Sequence, residues 1–226
     1  MNPLATPKRR DIKYALSPKP RIYILDFLNA IRRSISYVPG AKFTQIETFI
    51  ASTKEIAINI FKNYEFTKLF IVMKSFKFNE KINYYDLPII VLWTFHMAYL
   101  EYSKTAIEFP AKCEAKICLV LAKGFMSDDP SADDRGVFIL CDWFNILYGE
   151  RPIILSHDKY SDIIKHYYKQ LKLIFYWLKE IGKEVGDCEL SSNFMNFVQQ
   201  PLLGSKSFIV QNLEDQSKKE IILDPL

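Results

Sequence analysis

Four apolar runs divide this chain, and a stretch with helical spacing follows each of them. RIYILDFLNAI starts as an unbroken apolar segment and turns polar at Asp26 and Asn29, which predicts a buried strand that gives out there. In FTQIETFIASTKEIAINIFKNY, residues Ile46, Phe49, Ile50, Ile56, Ile60 and Phe61 fall at the spacing of one helix face. TKLFIVMKSF is a second strand, and DLPIIVLWTFHMAYLEYS a helix with Asp86 as its cap and Pro88 in its first turn. KICLVLAKGF is a third strand and leads into the acidic loop MSDDPSADD, after which RGVFILCDWFNILYG reads as a helix stopping at Gly149. RPIILSHD is the fourth strand, and KYSDIIKHYYKQLKLIFYWLKEIGKEVG predicts one long amphipathic helix or two short ones. Beyond Asp187 the pattern weakens, with SKSFIVQNL fitting an added edge strand and SKKEIILDPL a tail.

Short buried strands separated by helical stretches predict an α/β chain with a mainly parallel sheet covered on both faces. In open sheets of that kind the working groups gather outside the carboxyl ends of the strands. At 226 residues the chain is read as one domain with tails, and 49% hydrophobic with 25% charged residues fits a globular protein. Its longest apolar stretch, residues 87–100, is shorter than the roughly 20 residues of a bilayer span and holds Pro88 and His96, so no membrane partner is expected. The N-terminus lacks the apolar core of a secretory signal. Cys113, Cys118, Cys141 and Cys188 show neither zinc-site nor disulfide-framework spacing, which points to a reducing compartment, cytoplasmic or nuclear.

The net charge of +4 is unevenly placed, because residues 1–21 hold six Lys or Arg against one acid. Residues 1–20 therefore form a basic arm on a near-neutral body, and two readings stay open: a phosphate-holding arm or a solvated tail.

The acids give a sharper pattern. Asp26 sits where the first strand ends, Asp133 and Asp134 open the helix after the third, and Asp158 sits where the fourth gives out. A parallel sheet delivers all of them to one rim, where crowded anions repel one another unless a divalent cation neutralises them. Hard oxygen donors suit Mg²⁺ or Mn²⁺, and the chemistry implied is phosphodiester hydrolysis assisted by such an ion. Each acid also fits a cap: Ser131 and Asp134 are spaced as a capping box, Asp158 precedes a helix from Lys159, and Asp26 one from Ala30. Other chemistries fit worse. Leu28 stands where a haloacid-dehalogenase-like site needs a second aspartate, no glycine loop of the GxGxxG or GxxxxGKS/T kind exists, and His96, His157 and His166 are not spaced to partner a cysteine.

Three ordered motifs carry a family resemblance: a strand ending in DxxN (Asp26 to Asn29), an aspartate pair with arginine before an apolar helix (Asp133, Asp134, Arg135), and ILSHDKYSD against the family's SNDxYRD. Over about residues 20–185 the chain resembles the PIN-like ribonuclease superfamily, most closely the NYN branch typified by the Regnase-type endoribonucleases. The resemblance implies a three-layer α/β/α, Rossmann-like fold with a mainly parallel sheet of four to five strands, spanning 21–186, with 187–226 as a C-terminal extension. It implies Mg²⁺ or Mn²⁺ held by Asp26, Asp133, Asp134 and Asp158, Asn29 orienting Asp26 or a water, RNA cleaved in single strands or loops, and a homodimer. Phe27 replaces a common glycine and narrows the room beside Asp26, His157 replaces an Asn, Ser161 replaces an Arg, and no CCCH zinc finger follows.

A nucleic-acid strand needs cations near such acids. Lys123 and Arg135 flank them and are the preferred pair, followed by Lys159, Arg32, Arg33 and His157. Tyr160, Phe125 and Trp143 are candidates for base stacking, though Trp143 and His96 fit a core better. Asp128, Asp129 and Asp162 stand in reserve. The expectation is a divalent-metal-dependent endoribonuclease, with a catalytically inactive PIN-like module binding RNA or protein as the alternative, and a DNA-directed nuclease as a lesser one.

Overall fold

The strand β1, Ile22–Asp26, is buried along its whole length, as a strand covered on both faces must be. Its sequence IYILD brings only one charge into that zone, at the last position. The computed structural model describes residues 22–74, 86–105, 116–124, 132–148, 151–160, 173–180 and 206–223. The basic arm, Phe125, Asp128, Asp129, Ser131, Ser161 and Asp162 lie outside them, as do the side chains of Lys123 and Trp143.

Along the chain follow α1 (Phe27–Ser36), α2 (Ile46–Asn63), β2 (Lys68–Lys74), α3 (Asp86–Thr105), β3 (Lys116–Gly124), α4 (Ala132–Tyr148), β4 (Ile153–Leu155), β5 (Leu173–Glu180), β6 (Lys206–Gln211) and β7 (Lys218–Leu223). One sheet runs in the order β5-β3-β2-β1-β4-β6-β7. The five strands from β3 to β6 are parallel, and β5 and β7 close the two edges antiparallel.

Side chains alternate across a strand, so each strand feeds two cores. Ile22, Ile24, Phe70, Val72, Cys118, Val120 and Ile154 pack with Val137, Phe138 and Cys141 of α4. Tyr23, Leu25, Leu69, Ile71, Ile117, Leu119 and Leu155 pack on the other face with residues of α1, α2 and α3. Burying an aliphatic side chain of this size stabilises by about 1.5–3 kcal/mol. The result is a three-layer α/β/α arrangement compatible with a Rossmann-like fold. Among the described residues no helix is long and apolar enough to cross a membrane.

Several expectations need correction. The sheet has seven strands, not four to five. Residues 173–180 of the expected amphipathic helix form β5 instead, because LIFYWLKE is rich in aromatics and gains an antiparallel ladder against β3, broken once by an irregularity between Leu121 and Ala122. The expected tail contains β7, and β6 lies inside the sheet, hydrogen-bonded to β4 and β7, so part of the 187–226 extension is integral to the fold. Phe27 does not narrow the room beside Asp26. It is fully buried on the opposite face, edge-on to Phe49 at 5.9 Å and Phe95 at 6.3 Å between centroids, where it ties α1 to α2 and α3.

Candidate metal centre

The strand order reverses direction between β1 and β4: β2 and β3 lie to one side of β1, and β4 and β6 to the other. Crevices open outside the carboxyl ends of strands at such a switch point. Asp26 ends β1 there, and strand alternation turns it to the same face as Ile22 and Ile24, toward α4. The first turn of α4 carries Asp133 and Asp134, where helix amides and the macrodipole favour negative charge.

Asp26 is completely buried and fully engaged. Its Oδ2 accepts from the hydroxyls of Ser156 and Tyr160, both at 2.8 Å, and its Oδ1 from the Asn29 amide at 3.4 Å, which makes it the N-cap of α1. Burial, and then repulsion from Asp133, push its carboxyl up to about 7, while these three hydrogen bonds pull the other way. Asp133 is raised too, mainly by burial, with Lys74 the chief opposing charge. The Lys74 ammonium lies 3.7 Å from Asp133 Oδ1. That oxygen is buried and accepts no hydrogen bond among the described residues.

One carboxylate oxygen each of Asp26, Asp133 and Asp134 lies within 4.8 Å of the other two. Three carboxylates, one of which also carries a buried oxygen that accepts no hydrogen bond among the described residues, form a hard donor set that fits Mg²⁺ or Mn²⁺ better than a soft metal. Beside them opens a cavity of about 550 Å³, lined by Asn29, Arg32, Arg33, Lys74, His157 and Asp158 in addition to the α4 acids. Asn212 and Glu214, in the turn between β6 and β7, form another wall.

The expected site residues fall into three groups. Asp26, Asp133 and Asp134 converge. Asp158 lines the same cavity but stands outside that cluster; its Oδ1 accepts from the Tyr160 amide at 2.9 Å, bracing a turn in which Tyr160 has a φ of 52°. Asn29 orients Asp26 through its backbone, whereas its side-chain carbonyl accepts from the His157 amide at 3.0 Å and clips the β1 and β4 rims together. His157 is half-buried, its imidazole held below the usual value chiefly by desolvation. Arg32 and Arg33 are exposed on α1 at the cavity, and Lys159 is exposed but outside its lining.

Two expectations are overturned. Arg135 is only 4% exposed, since its place in the first turn of α4 turns it into the protein, so it does not present a guanidinium to an incoming strand. Tyr160 is fully buried, edge-on to Phe138 at 4.9 Å, and its hydroxyl serves Asp26 instead of its ring serving a base. Lys74, Ser156, Tyr37 and Glu214 had no assigned role. Lys74 had a readable signal: it is the polar end of a buried strand, four residues past Phe70, on the same face as Asp26. Glu214 had none, because its place depends on how a distant hairpin folds back.

Compared with protein-family models, characterised proteins and solved structures, the chain matches none. Its chemistry therefore rests on its own geometry.

Proposed function

We propose that the protein is a divalent-metal-dependent endoribonuclease. The observation that carries this reading is the convergence of Asp26, Asp133 and Asp134 at the switch point of the sheet, beside a cavity with cationic side chains. These three acids would hold Mg²⁺ or Mn²⁺. When bound, the ion supplies positive charge against the phosphate and leaving oxygen and makes water a stronger nucleophile. Ser156 and Tyr160 fix the rotamer of Asp26, so the carboxylate stays aimed at the cluster without a loss of side-chain entropy on binding. Arg32 and Lys74 offset the backbone charge that the acids would otherwise repel. The ordered motifs shared with PIN-like ribonucleases of the NYN branch support RNA as the phosphodiester.

One observation favours a second reading. Lys74 already sets a cation against Asp133, so the site could persist without a metal as an RNA-binding module that does not cut. The deciding experiment incubates the purified protein with labelled single-stranded and stem-loop RNA, with Mn²⁺ or Mg²⁺ and then with EDTA. Endonucleolytic cleavage that EDTA abolishes and that Asp26→Asn or Asp134→Asn removes is the expected result. Cleavage that survives EDTA or both substitutions sinks the metal-carboxylate mechanism, and RNA binding without cleavage in any metal selects the module.

A further inference from the structure

In the same cavity as the acids, Arg33 of α1 already holds an anion, together with Tyr37 just past the helix end. Arg33 stacks on the Tyr37 ring with its guanidinium carbon 4.8 Å from the centroid. From that pair the Arg33 Nε–H and the Tyr37 hydroxyl both donate to a single oxygen, Glu214 Oε1, at 3.2 and 2.6 Å. The two donors draw the Glu214 carboxyl below its ordinary value, as a filled anion site would.

Glu214 reaches them from 181 positions away in sequence, on a turn that is itself braced. The Asn212 carbonyl oxygen of the side chain accepts from the Glu214 amide at 2.8 Å, Asp215 Oδ1 from the Ser217 amide at 2.9 Å, and the Asn212 amide donates to the Ser217 carbonyl at 2.9 Å. Gln216 adopts a φ of 57° to close it. The carboxylate is thus presented by structure instead of reaching out by chance. Arg33 and Glu214 are each about half exposed in this pair, so the contact is readily exchanged for a better anion.

We infer that Arg33 and Tyr37 form a phosphate subsite for a nucleic-acid strand entering the cavity, and that Glu214 fills this subsite in cis until the strand displaces it. A phosphodiester oxygen accepts from the same two donors, and a guanidinium hydrogen-bonds phosphate more specifically than a lysine does. Glu214 in place repels strands that cannot displace it, so the turn selects for ligands able to take both donors. The inference rests on the nucleic-acid reading of the cavity, but not on cleavage.

Binding of the full chain to a fluorescent oligouridylate of about ten nucleotides, followed by anisotropy in EDTA across a salt series, tests it. Glu214→Ala is expected to tighten binding about threefold and to steepen the slope of log K against log salt by about 0.7, because no displaced carboxylate then takes up a cation that offsets the one released from the strand. Arg33→Gln is expected to weaken binding, and adding Glu214→Ala to Arg33→Gln to change nothing further. Adding Tyr37→Phe to Glu214→Ala is expected to remove part of the gain. The same tightening with and without Arg33 would reduce Glu214 to a general field effect and overturn the subsite, as would no binding by any of these proteins. Cleavage in Mn²⁺ is scored separately: its absence with the binding cycle intact defeats the nuclease alone, and its presence with a flat cycle defeats the subsite alone.

Discussion

The two walls of the cavity obey different physics. The acid wall is buried: Asp26 is inaccessible, Asp133 nearly so, and their positions are set by strand alternation, the α4 terminus and hydrogen bonds from Ser156 and Tyr160. Charge there is strongly unfavourable without a counter-ion, which is why the Asp26 carboxyl is pushed up to about 7. The basic wall is exposed: Arg32 and Arg33 stand in solvent, and the Arg33 pair with Glu214 is screened and interchangeable. On the proposed reading, a cation bound at one wall would relieve buried charge, whereas an anion at the other would exchange quickly. A metal site and a strand-binding site need that division of labour.

The largest expected effect lies on the acid wall. Asp134→Asn should reduce Mn²⁺-dependent cleavage at least roughly a hundredfold in kcat, whereas Arg32→Ala should act mainly on KM and by less than about tenfold. Equal losses in kcat for both would erase the distinction between the walls. The second effect is on stability. The folded Asp26 carboxyl binds its proton more tightly than the unfolded one at 3.8, so its contribution is fullest below that value and is lost as pH rises to about 7. Urea midpoints of the metal-free protein should therefore fall from pH 4 to pH 8 by the equivalent of on the order of 4 kcal/mol, less in saturating Mg²⁺, and the slope should flatten in Asp26→Asn. A wild-type profile that is flat, or that rises across this range, would mean that Asp26 does not carry the burden its burial implies.

A smaller effect is expected at Tyr160→Phe. Losing one donor to a buried carboxylate costs about 1–3 kcal/mol and moves the Asp26 carboxyl further up, which should shift the acid limb of any pH–rate profile to higher pH. A shift to lower pH would show that the hydroxyl does not favour the charged form. The smallest change belongs to the basic wall: Arg33→Gln should leave the thermal midpoint unmoved while reducing the salt dependence of oligonucleotide binding. A clear drop in midpoint would make that residue structural and undo the contrast.

How legible this arrangement was in the sequence follows the same division. Asp26, Asp133 and Asp134 could be read because Asp26 sits where an apolar run stops and the pair sits just before one starts, and period-two and period-3.6 patterns fix those junctions locally. Asp158 could be read as belonging to the rim but not as standing apart from the cluster, since an Asx turn and a metal ligand use the same carboxylate. Arg135 and Tyr160 were misread for one reason: polarity suggested exposure, while their backbone positions turn them inward. The β5 error came from a run whose residues suit both helix and strand, decided by pairing with β3. Glu214 and Tyr37 meet only through tertiary folding, which leaves no trace in local pattern.

The separation of Arg33 from Glu214 has a consequence in time. During synthesis, Asp26 and α1 emerge early, but the turn that covers their basic side is added 181 residues after Arg33. At roughly 5–20 residues per second that is a delay of roughly ten to forty seconds. Until then Arg33 and Tyr37 lack their Glu214 partner, and β4, once made, has no β6 beside it. The hairpin that satisfies this face of α1 is thus the last of these pieces to arrive.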